Sequence, residues 1–544
     1  MIHKISRIIV IVSLVLGSSV SLAAATTQTV LAAPPGSTVI YNIFATDAFV
    51  ELADGTPIYN YGFVGGRAGV PFVFQTSFSL DGTAGGGNNS DFTSGPPNPS
   101  PGPVTADEAK LQGNASFPGP LIYAKEGDVV EIHFKNLGVD ANISSPNDPH
   151  SIHLHALDVN AANDGVPETS VGAVPANLCN DGLNANDCNS EDHGGFVPGA
   201  GNVIVYMFAP KTAGTYFYHC HQEADIHVQM GMYGALVIYN RNDPAAATGH
   251  GMGKGGTLFG WKYDQDFVLL ESEVDVRQHC SEQGTYNDQC LCTNPNPALF
   301  DGSPTIPTLA GQPAGWNPVD YKPQYWLLNG LSFPNTIHAA GGPVVDWSSW
   351  IAAHPGYDPF ITGRVGAKSS DGTKGQKVLL RMINMGFETQ PMHMHGFHAK
   401  VLGSDQRAWY WANTPFLTPW GQGEEKNTIT IGSGEEYDLL LNFGLQAVTA
   451  TYPNGTGGLN GTFPGGTETR YDDNGQPVSN TLTDDLAIPL PGDTLTYIGG
   501  PTVTGAVIAS TTGQLFPFHN HDDYKATNNG TYPGGMFTMI EPLP

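Results

Sequence analysis

The chain has 544 residues, with 22 Lys and Arg against 50 Asp and Glu, so its net charge at pH 7 is −28. A surface this acidic argues against nucleic acid as a partner, because the phosphate backbone is also anionic. Glycine (68 residues) and proline (42 residues) are abundant while charged residues make up only 13% of the chain, which favours short strands joined by turns over long helices. We therefore expect an all-β protein.

The N-terminal residues 1–25 have the pattern of a secretory signal peptide. Lys4 and Arg7 precede an apolar run and an alanine-rich stretch, and cleavage is expected after Ala25 or, as an alternative, near Ala33. No later stretch has the roughly 20 consecutive apolar residues that a membrane-spanning helix needs. The sequence thus predicts an exported protein, periplasmic or extracellular, without a membrane span.

Two sets of strand patterns follow along the chain. The first includes VIYNIFA, PLIYAKEGDVVEIHFKN, NVIVYMFAP and TYFYHCH, and the second includes DFVLLESEV, QYWLLNG, KVLLRMINMG, NTITIGSGEEYDLLLNF and GGMFTMIE. The glycine-rich segment AAATGHGMGKGG between them is typical of a linker. We predict a first domain over 34–244, a linker over 245–259 and a second domain over 260–544, with long insertions at 82–113 and 452–492.

Export permits disulfide bonds among the six cysteines. The short loop CNDGLNANDC makes a bridge between Cys179 and Cys188 plausible, and Cys280 could pair with Cys290 or Cys292. The connectivity itself cannot be read from a sequence. The sixth cysteine, Cys220, lies between two histidines and suggests a different role.

Four HxH pairs repeat across the two strand sets. The first set contains HSIHLHALD and YHCH, and the second contains QPMHMHGFH and FHNH. In each set the second pair follows the first by more than sixty residues. Such a repeat is improbable by chance among 18 histidines, and it indicates duplication of one metal-binding β-sandwich.

The segment YHCHQEADIHVQMGM combines soft and intermediate metal ligands. Residues i and i+2 of a strand face the same way, so His219 and His221 should project together while Cys220 points to the opposite face. One tripeptide would then serve two metal sites. Cys220, His227, Met232 and one further histidine would form the His₂Cys plus Met set of an electron-transfer copper, with Met230 as the alternative to Met232.

These segments resemble the four copper-binding segments of the multicopper oxidases, the family of laccases and their relatives. The resemblance implies two cupredoxin-like Greek-key β-sandwich domains, O₂ as electron acceptor and four copper ions per chain: one type 1, one type 2 and two type 3. Carried over by position, it assigns the type 1 copper to His150, Cys220, His227 and Met232, the type 2 copper to His153 and His393, and the type 3 pair to His155, His219, His221, His395, His519 and His521.

The second half departs from the pattern of a type 1 site. Gln390 stands where the type 1 histidine would be, Asn520 replaces the cysteine, and spacing aligns Thr531 with His227, so only Met536 remains. This arrangement resembles two-domain members of the family with type 1 copper in the first domain. Their resemblance implies a homotrimer in which each trinuclear cluster is shared between neighbouring chains.

The resulting hypothesis is a laccase-like oxidase that couples one-electron oxidation of phenols or aryl amines to reduction of O₂ to water. A metal-ion oxidase acting on Mn(II), Fe(II) or Cu(I) is the alternative, and a copper nitrite reductase or a non-catalytic electron carrier would leave several histidines without a role. Glu223 and Asp522, with Asp158 and Asp523 as further candidates, lie close in sequence to the ligands and could supply protons to reduced oxygen.

Overall fold

The computed structural model describes residues 36–74, 92–138, 149–170, 172–176, 202–243, 255–282, 321–337, 347–409, 424–445, 449–451, 467–471, 477–481, 495–496, 507–508 and 515–543. The predicted signal peptide, Cys179, Cys188, Cys290, Cys292 and the Cys280 side chain lie outside the described residues. None of the helices in these ranges is both long enough and apolar enough to cross a membrane.

The first half forms a sandwich of two four-stranded sheets, with the orders β2-β1-β4-β6 and β3-β8-β7-β5. In β4 the residues alternate between buried and partly exposed, because one face of the strand covers the core and the other faces solvent. Ile43, Phe63, Ile132, Tyr218 and Leu236 belong to the core between the sheets. The strands are β1 (Thr38–Glu51), β2 (Pro57–Arg67), β3 (Ile122–Lys125), β4 (Val129–Asn136), β5 (His153–His155), β6 (Val203–Phe208), β7 (Gly214–His219) and β8 (Tyr233–Tyr239).

The second half repeats this sandwich with additional strands. Its sheets have the orders β12-β11-β14-β20-β16-β17, with β18 also paired to β16, and β13-β27-β26-β15-β19. Their strands are β11 (Gln265–Val274), β12 (Tyr325–Leu328), β13 (Ile361–Arg364), β14 (Lys377–Asn384), β15 (Gln390–Met394), β16 (Ala399–Ser404), β17 (Arg407–Ala408), β18 (Glu425–Lys426), β19 (Thr428–Ile431), β20 (Glu436–Asn442), β26 (Phe516–Asn520) and β27 (Phe537–Leu543).

Smaller elements complete the described chain. The hairpin β9 (Gly256–Leu258) and β10 (Trp261–Tyr263) begins within the predicted linker, and β22 (Thr467–Tyr471) and β23 (Pro477–Thr481) lie within the predicted second insertion. The remaining strands are β21 (Thr449–Thr451), β24 (Leu495–Thr496) and β25 (Val507–Ile508), and the α-helical segments are Ala224–His227, Val276–Glu282 and Trp347–Ala353. The first insertion is anchored by a buried ion pair, 2.7 Å long, between Glu108 and Lys135 of β4.

Strand pairing confirms that one fold occurs twice. β1 runs parallel to β4 and β11 parallel to β14, while β3 runs parallel to β8 and β13 parallel to β27. The histidine-bearing strands also match, since His153 pairs with His219 in the first half and His393 pairs with His519 in the second. The duplication inferred from the HxH repeats is therefore present in the backbone.

A large buried interface joins the two sandwiches. All eight residues of β14 are buried, because one face of the strand covers the second core while the other contacts the first sandwich. On that second face Arg381 bonds Asp266 at 2.7 Å and the Thr215 hydroxyl of the first sandwich at 3.1 Å. Apolar side chains from both halves, among them Phe217, Val237 and Leu270, pack in the same interface. Each fully buried large apolar side chain contributes about 1.5–3 kcal/mol.

Candidate metal centres

Cys220, His150 and His227 form one compact group of potential ligands inside the first sandwich. The Cys220 Sγ lies 3.4 Å from His227 Nδ1 and 3.9 Å from His150 Nδ1, and the two Nδ1 atoms are 3.3 Å apart. All three side chains are buried. One thiol and two imidazole nitrogens directed at a common point form the donor set that suits copper.

A short helical turn brings His227 to this point. The chain leaves β7 after His219, and Glu223 takes a left-handed conformation (φ 42°) before the turn Ala224–His227. Backbone hydrogen bonds from Met232 N to His227 O and from Cys220 N to Met232 O close the loop. Met230 and Met232 are both fully buried in the same core as Cys220, so either thioether remains a candidate axial ligand.

The four histidines of the first-half HxH pairs cluster on the other side of β7. The ring of His153 lies 5.0 Å from His219 and 5.1 Å from His221, and His155 lies 5.7 Å from His153, measured between centroids. The rings of His219 and His221 are nearly parallel at 5.6 Å. Cys220 thus points into the core while its two neighbours point outward, as the strand geometry predicted.

The second half has a matching cluster. The ring of His393 lies 5.0 Å from both His395 and His521 and 5.8 Å from His519. His395 Nε2 and His519 Nε2 are 3.1 Å apart. His395 and His521 are exposed in the single chain, whereas His519 is buried.

Hydrogen bonds to Nδ1 orient several of these rings. The Nδ1 of His153 donates to the Asp164 carbonyl at 2.7 Å, and the Nδ1 atoms of His219 and His519 donate to the carbonyls of the residues that follow them. The Nδ1 of His393 lies 2.7 Å from the Thr428 hydroxyl. Each bond leaves Nε2 with its lone pair for a metal, which is the usual way in which a neighbouring group fixes a metal-binding imidazole.

Burial favours the neutral form of His150, His155 and His219. It lowers the pKa of His219 to about 3 and that of His155 to about 4, and neighbouring imidazoles add to both decreases. The pKa of His150 is also lowered well below its usual value by burial and by His227. A metal ligand must be deprotonated, so the protein presents the histidines in the binding state.

His155 tests whether the first-half cluster fits a metal. Its ring stacks on Phe217 at 4.0 Å, and its Nδ1 is buried without a hydrogen-bond partner. An orphaned buried polar atom is costly and calls for an explanation. A metal ion bound by this nitrogen would explain why it has no hydrogen-bond partner, so the residues fit copper.

Imidazoles of the two halves do not meet within one chain. Every ring contact among these eight histidines joins two imidazoles of the same half. Gly434 of the second sandwich lies close to the first-half cluster. A Cβ atom at this position would be 3.9 Å from His155 Nε2. Each chain therefore presents two separate groups of four imidazoles.

In the second half, hydrogen bonds fill the position that corresponds to the Cys220 group. The Asn520 amide donates to Gln390 Oε1 at 2.7 Å and lies 3.5 Å from Met536 Sδ. Its backbone N–H donates to Met536 O at 2.9 Å, as Cys220 N does to Met232 O. The substitutions noted in the sequence thus meet at the equivalent position.

The structure corrects the alignment of Thr531 with His227 that the spacing suggested. Met232 N donates to His227 O, whereas Met536 N donates to Lys525 O. Lys525, and not Thr531, therefore occupies the backbone position of His227. The count from Met536 failed because the second-half loop contains a 3₁₀ turn at Asp523–Lys525 instead of the helical turn at Ala224–His227.

The acidic candidates from the sequence lie in different surroundings. Glu223 is exposed, and its carboxylate lies 4.0 Å from His227 Nε2, beside the group formed by Cys220, His150 and His227. Asp522 forms an ion pair with Lys525 at 3.3 Å. Sequence reasoning missed Asp164, whose carboxylate lies 3.2 Å from His153 Nδ1. The only signal was its place in the loop after HSIHLH, which does not reveal the contact.

Two histidines outside the HxH pairs have structural contacts. His279 donates to the Tyr59 carbonyl, and His354 stacks on Trp350 at 4.5 Å. Both are buried.

Comparison with known proteins agrees with this architecture. The multicopper oxidase family model matches residues 93–242 and 356–445. Copper resistance protein A of Escherichia coli is 30% identical over 167 residues, which cover 30% of this chain and 20% of that protein. A copper-containing nitrite reductase of Pseudomonas chlororaphis is 26% identical over 180 residues, which cover 32% of this chain and 36% of that protein.

Among solved structures, the blue copper oxidase from Nitrosomonas europaea aligns with a TM-score of 0.43 at 16% identity, covering 93% of this chain and 86% of that one. The two sandwiches are of the cupredoxin type. The histidine-bearing strands β5, β7 and β15 lie within the matched segments, whereas β26 lies outside them. Residues 93–242 and 356–445 of the chain are thus of the multicopper oxidase type.

Proposed function

We propose that the protein is a four-copper oxidase that couples one-electron oxidation of a reducing substrate to the four-electron reduction of O₂ to water. The observation that carries this proposal is the placement of Cys220, which faces a buried two-histidine pocket while its neighbours His219 and His221 face an imidazole cluster. A single tripeptide thus connects two candidate copper sites covalently.

The residues of the chain have distinct roles in this proposal. His150, Cys220 and His227, with Met232, would hold the type 1 copper in a buried pocket. Asp164 and Thr428 orient His153 and His393, the candidate type 2 ligands. His155, His219, His221, His395, His519 and His521 would hold the type 3 pair. Copper, when bound, supplies the one-electron chemistry and the activation of O₂.

The separation of the imidazole groups supports an assembly in which clusters form between chains. Four imidazoles from one chain and four from its neighbour would complete each trinuclear cluster, and a homotrimer closes such a ring. The exposure of His395 and His521 in the single chain agrees with this arrangement.

Export to the periplasm or the extracellular space, with signal cleavage and disulfide bonds, belongs to the same proposal. The domain limits 34–244 and 260–544 belong to it as well.

The substrate is proposed as a phenol or an aryl amine, with Mn(II), Fe(II) and Cu(I) as the alternative. The similarity to copper resistance protein A makes Cu(I) a substrate to test. A nitrite reductase, which needs one mononuclear copper in place of the cluster, would leave His221, His395 and His521 without a role. An electron carrier would leave all eight clustered histidines without a role.

Replacing Cys220 with Ser tests the proposal. The wild-type protein should bind about four copper ions per chain and show the blue absorption of a copper thiolate, while the variant should lose the blue band and retain about three. Oxygen consumption with a phenol, Mn(II), Fe(II) and Cu(I) should be abolished for every substrate that the wild type oxidises. A blue band that persists in the variant, or a wild type that binds only one or two copper ions, contradicts the assignment.

A further inference from the structure

A cleft between the two halves lies apart from every candidate copper ligand. Its volume is about 580 Å³, including the open mouth. One wall comes from the first sandwich, including Tyr41, Arg67 and Tyr123, and the other from the segment after the helix Trp347–Ala353, including His354 and Tyr357. None of the HxH histidines lines it.

The walls are aromatic and firmly held. Tyr41 and Tyr123 meet edge to face at 6.1 Å, and the Tyr41 hydroxyl bonds both the carbonyl and the N–H of Tyr123. The Tyr357 hydroxyl accepts from Ala235 N at 2.8 Å on the opposite wall. Largely preformed apolar clefts with a few fixed polar groups are the usual sites of small organic ligands.

Arg67 provides a fixed positive charge at this site. Its guanidinium lies 5.3 Å from the centroid of the Tyr123 ring. No described carboxylate pairs with it, although the chain carries 50 acidic residues against 22 basic ones. A guanidinium offers parallel N–H groups that match a carboxylate, so the charge favours an anionic ligand.

His354 provides a hydrogen-bond acceptor. Its Nδ1 donates to the Trp350 carbonyl at 3.0 Å, which leaves Nε2 with a lone pair. The side chain is 2% exposed, and this Nε2 is buried without a hydrogen-bond partner. Burial lowers the pKa of His354 to about 4, so the ring is neutral at neutral pH and Nε2 can accept a hydrogen bond from a hydroxyl.

We propose that this cleft binds a small aromatic carboxylate that also carries a ring hydroxyl. The carboxylate bonds Arg67, the ring packs between Tyr123 and Tyr357, and the hydroxyl donates to His354 Nε2. The three features are independent of one another and each selects one part of the ligand. The site requires no metal, so it is separate from the proposed oxidase function.

Calorimetric titration of the copper-loaded protein under nitrogen tests the site with 4-hydroxybenzoate, benzoate and phenol as probes. Without O₂ the copper ions can accept electrons only once, so the probes are not oxidised catalytically. 4-Hydroxybenzoate should bind more tightly than either of the others. Arg67→Met should lower the affinity for 4-hydroxybenzoate by about tenfold or more, because a charge-assisted bond is lost. The affinity for phenol should not change. His354→Phe should lower the affinity for 4-hydroxybenzoate to that for benzoate.

Lys368→Met removes an exposed positive charge from the second sandwich and serves as the matched control, which should bind like the wild type. If Arg67→Met does not fold, Arg67→Lys keeps the charge without the paired N–H groups and should still weaken the carboxylate probes. Equal affinity for phenol and 4-hydroxybenzoate in the wild type, or binding that neither cleft variant changes, overturns the proposal. A protein without copper that still discriminates among the probes would separate this site from the oxidase assignment.

Discussion

Lys525 shows how one residue position changed between the two halves. It lies at the backbone position of His227, and its Nζ donates to the Thr389 carbonyl at 2.7 Å. Glu388 and Asp522 lie 3.3 Å from the same nitrogen. The second half thus places a buried ammonium group where the first places a metal-binding imidazole.

Lys525→Met should destabilise the protein by about 1–3 kcal/mol, because it removes the buried ammonium group that donates to the Thr389 carbonyl and pairs with the Glu388 and Asp522 carboxylates. The loss should be the same with and without copper, since Lys525 is not a metal ligand. Denaturant unfolding of both forms measures it. Lys368→Met, an exposed lysine change in the same half, should leave the unfolding midpoint within experimental error. A destabilisation that appears only after copper loading contradicts this role.

Sequence reasoning at the scale of residues succeeded where the pattern is local. The HxH pairs and the Cys220 tripeptide have fixed spacing along a strand, so the faces to which their side chains point follow from strand geometry. Asp164 and Thr428, which orient His153 and His393, could not be predicted. Their contacts depend on the path of a loop and on the pairing of β15 with β19.

The helix Val276–Glu282 acts on the first sandwich from the second half. Gln278 Nε2 donates to the Ile226 carbonyl at 3.2 Å, within the turn that carries His227. His279 donates to the Tyr59 carbonyl of β2. Nearby, the Tyr321 hydroxyl donates to Gln229 at 2.7 Å. These bonds hold the loop that ends at Met232 from outside its own sandwich.

Gln278→Leu should therefore alter the type 1 copper without removing it. The released loop changes the geometry around His227, so the blue absorption should shift and the reduction potential should change, while copper content remains that of the wild type. Optical spectroscopy and redox titration measure both. Gln376→Leu removes a glutamine that bonds a backbone N–H far from the loop and should leave both values unchanged. An unchanged spectrum and potential in Gln278→Leu would refute the effect.

At this scale the strands were predictable and the helix was not. Alternation and apolar runs located β4, β7, β11, β14 and β20, because burial imposes those patterns on each strand. The segment at Val276 carries no comparable periodicity over its 7 residues. Its position depends on contacts with β2, which lies more than 200 residues earlier in the chain.

Coexpression of chains with different substitutions tests whether neighbouring chains share each cluster. A His155→Ala chain lacks a first-half ligand and a His395→Ala chain lacks a second-half ligand. If clusters form between neighbours, coexpression should produce some interfaces with both halves intact, and O₂ reduction should exceed that of either variant alone. Oxygen consumption by the purified mixed oligomer measures this. Coexpressed His155→Ala and His153→Ala chains, both defective in the first half, should show no recovery.

If the first pair of variants also shows no recovery in a mixed oligomer of verified composition, each cluster forms within one chain. The described chain, in which the two imidazole groups do not meet, would then have to rearrange. Analytical ultracentrifugation of the mixture should show the trimer in either case, so the oligomeric state and the sharing of sites are measured separately.

The interface between the sandwiches should respond to pH through Glu436. Burial, followed by Asp405 and Asp438, raises the pKa of this carboxyl to about 9. Since the folded protein favours the protonated form, its contribution to stability is complete below the unfolded pKa near 4.5 and is lost as pH rises toward 9. Glu436→Gln keeps a neutral side chain and should reduce the decline of stability between pH 5 and 9. Denaturant midpoints at several pH values measure it, and identical profiles for the two proteins contradict the assignment.

The ammonium group of Lys525 also makes the interior of the second sandwich different from that of the first. The second sandwich carries its own cation on a covalent tether, so its internal structure is complete as soon as the chain folds. The first sandwich instead buries a thiol and two imidazoles that converge on one point. Copper scarcity should therefore loosen the interior of the first sandwich more than the interior of the second, although both halves contribute imidazoles to the proposed cluster.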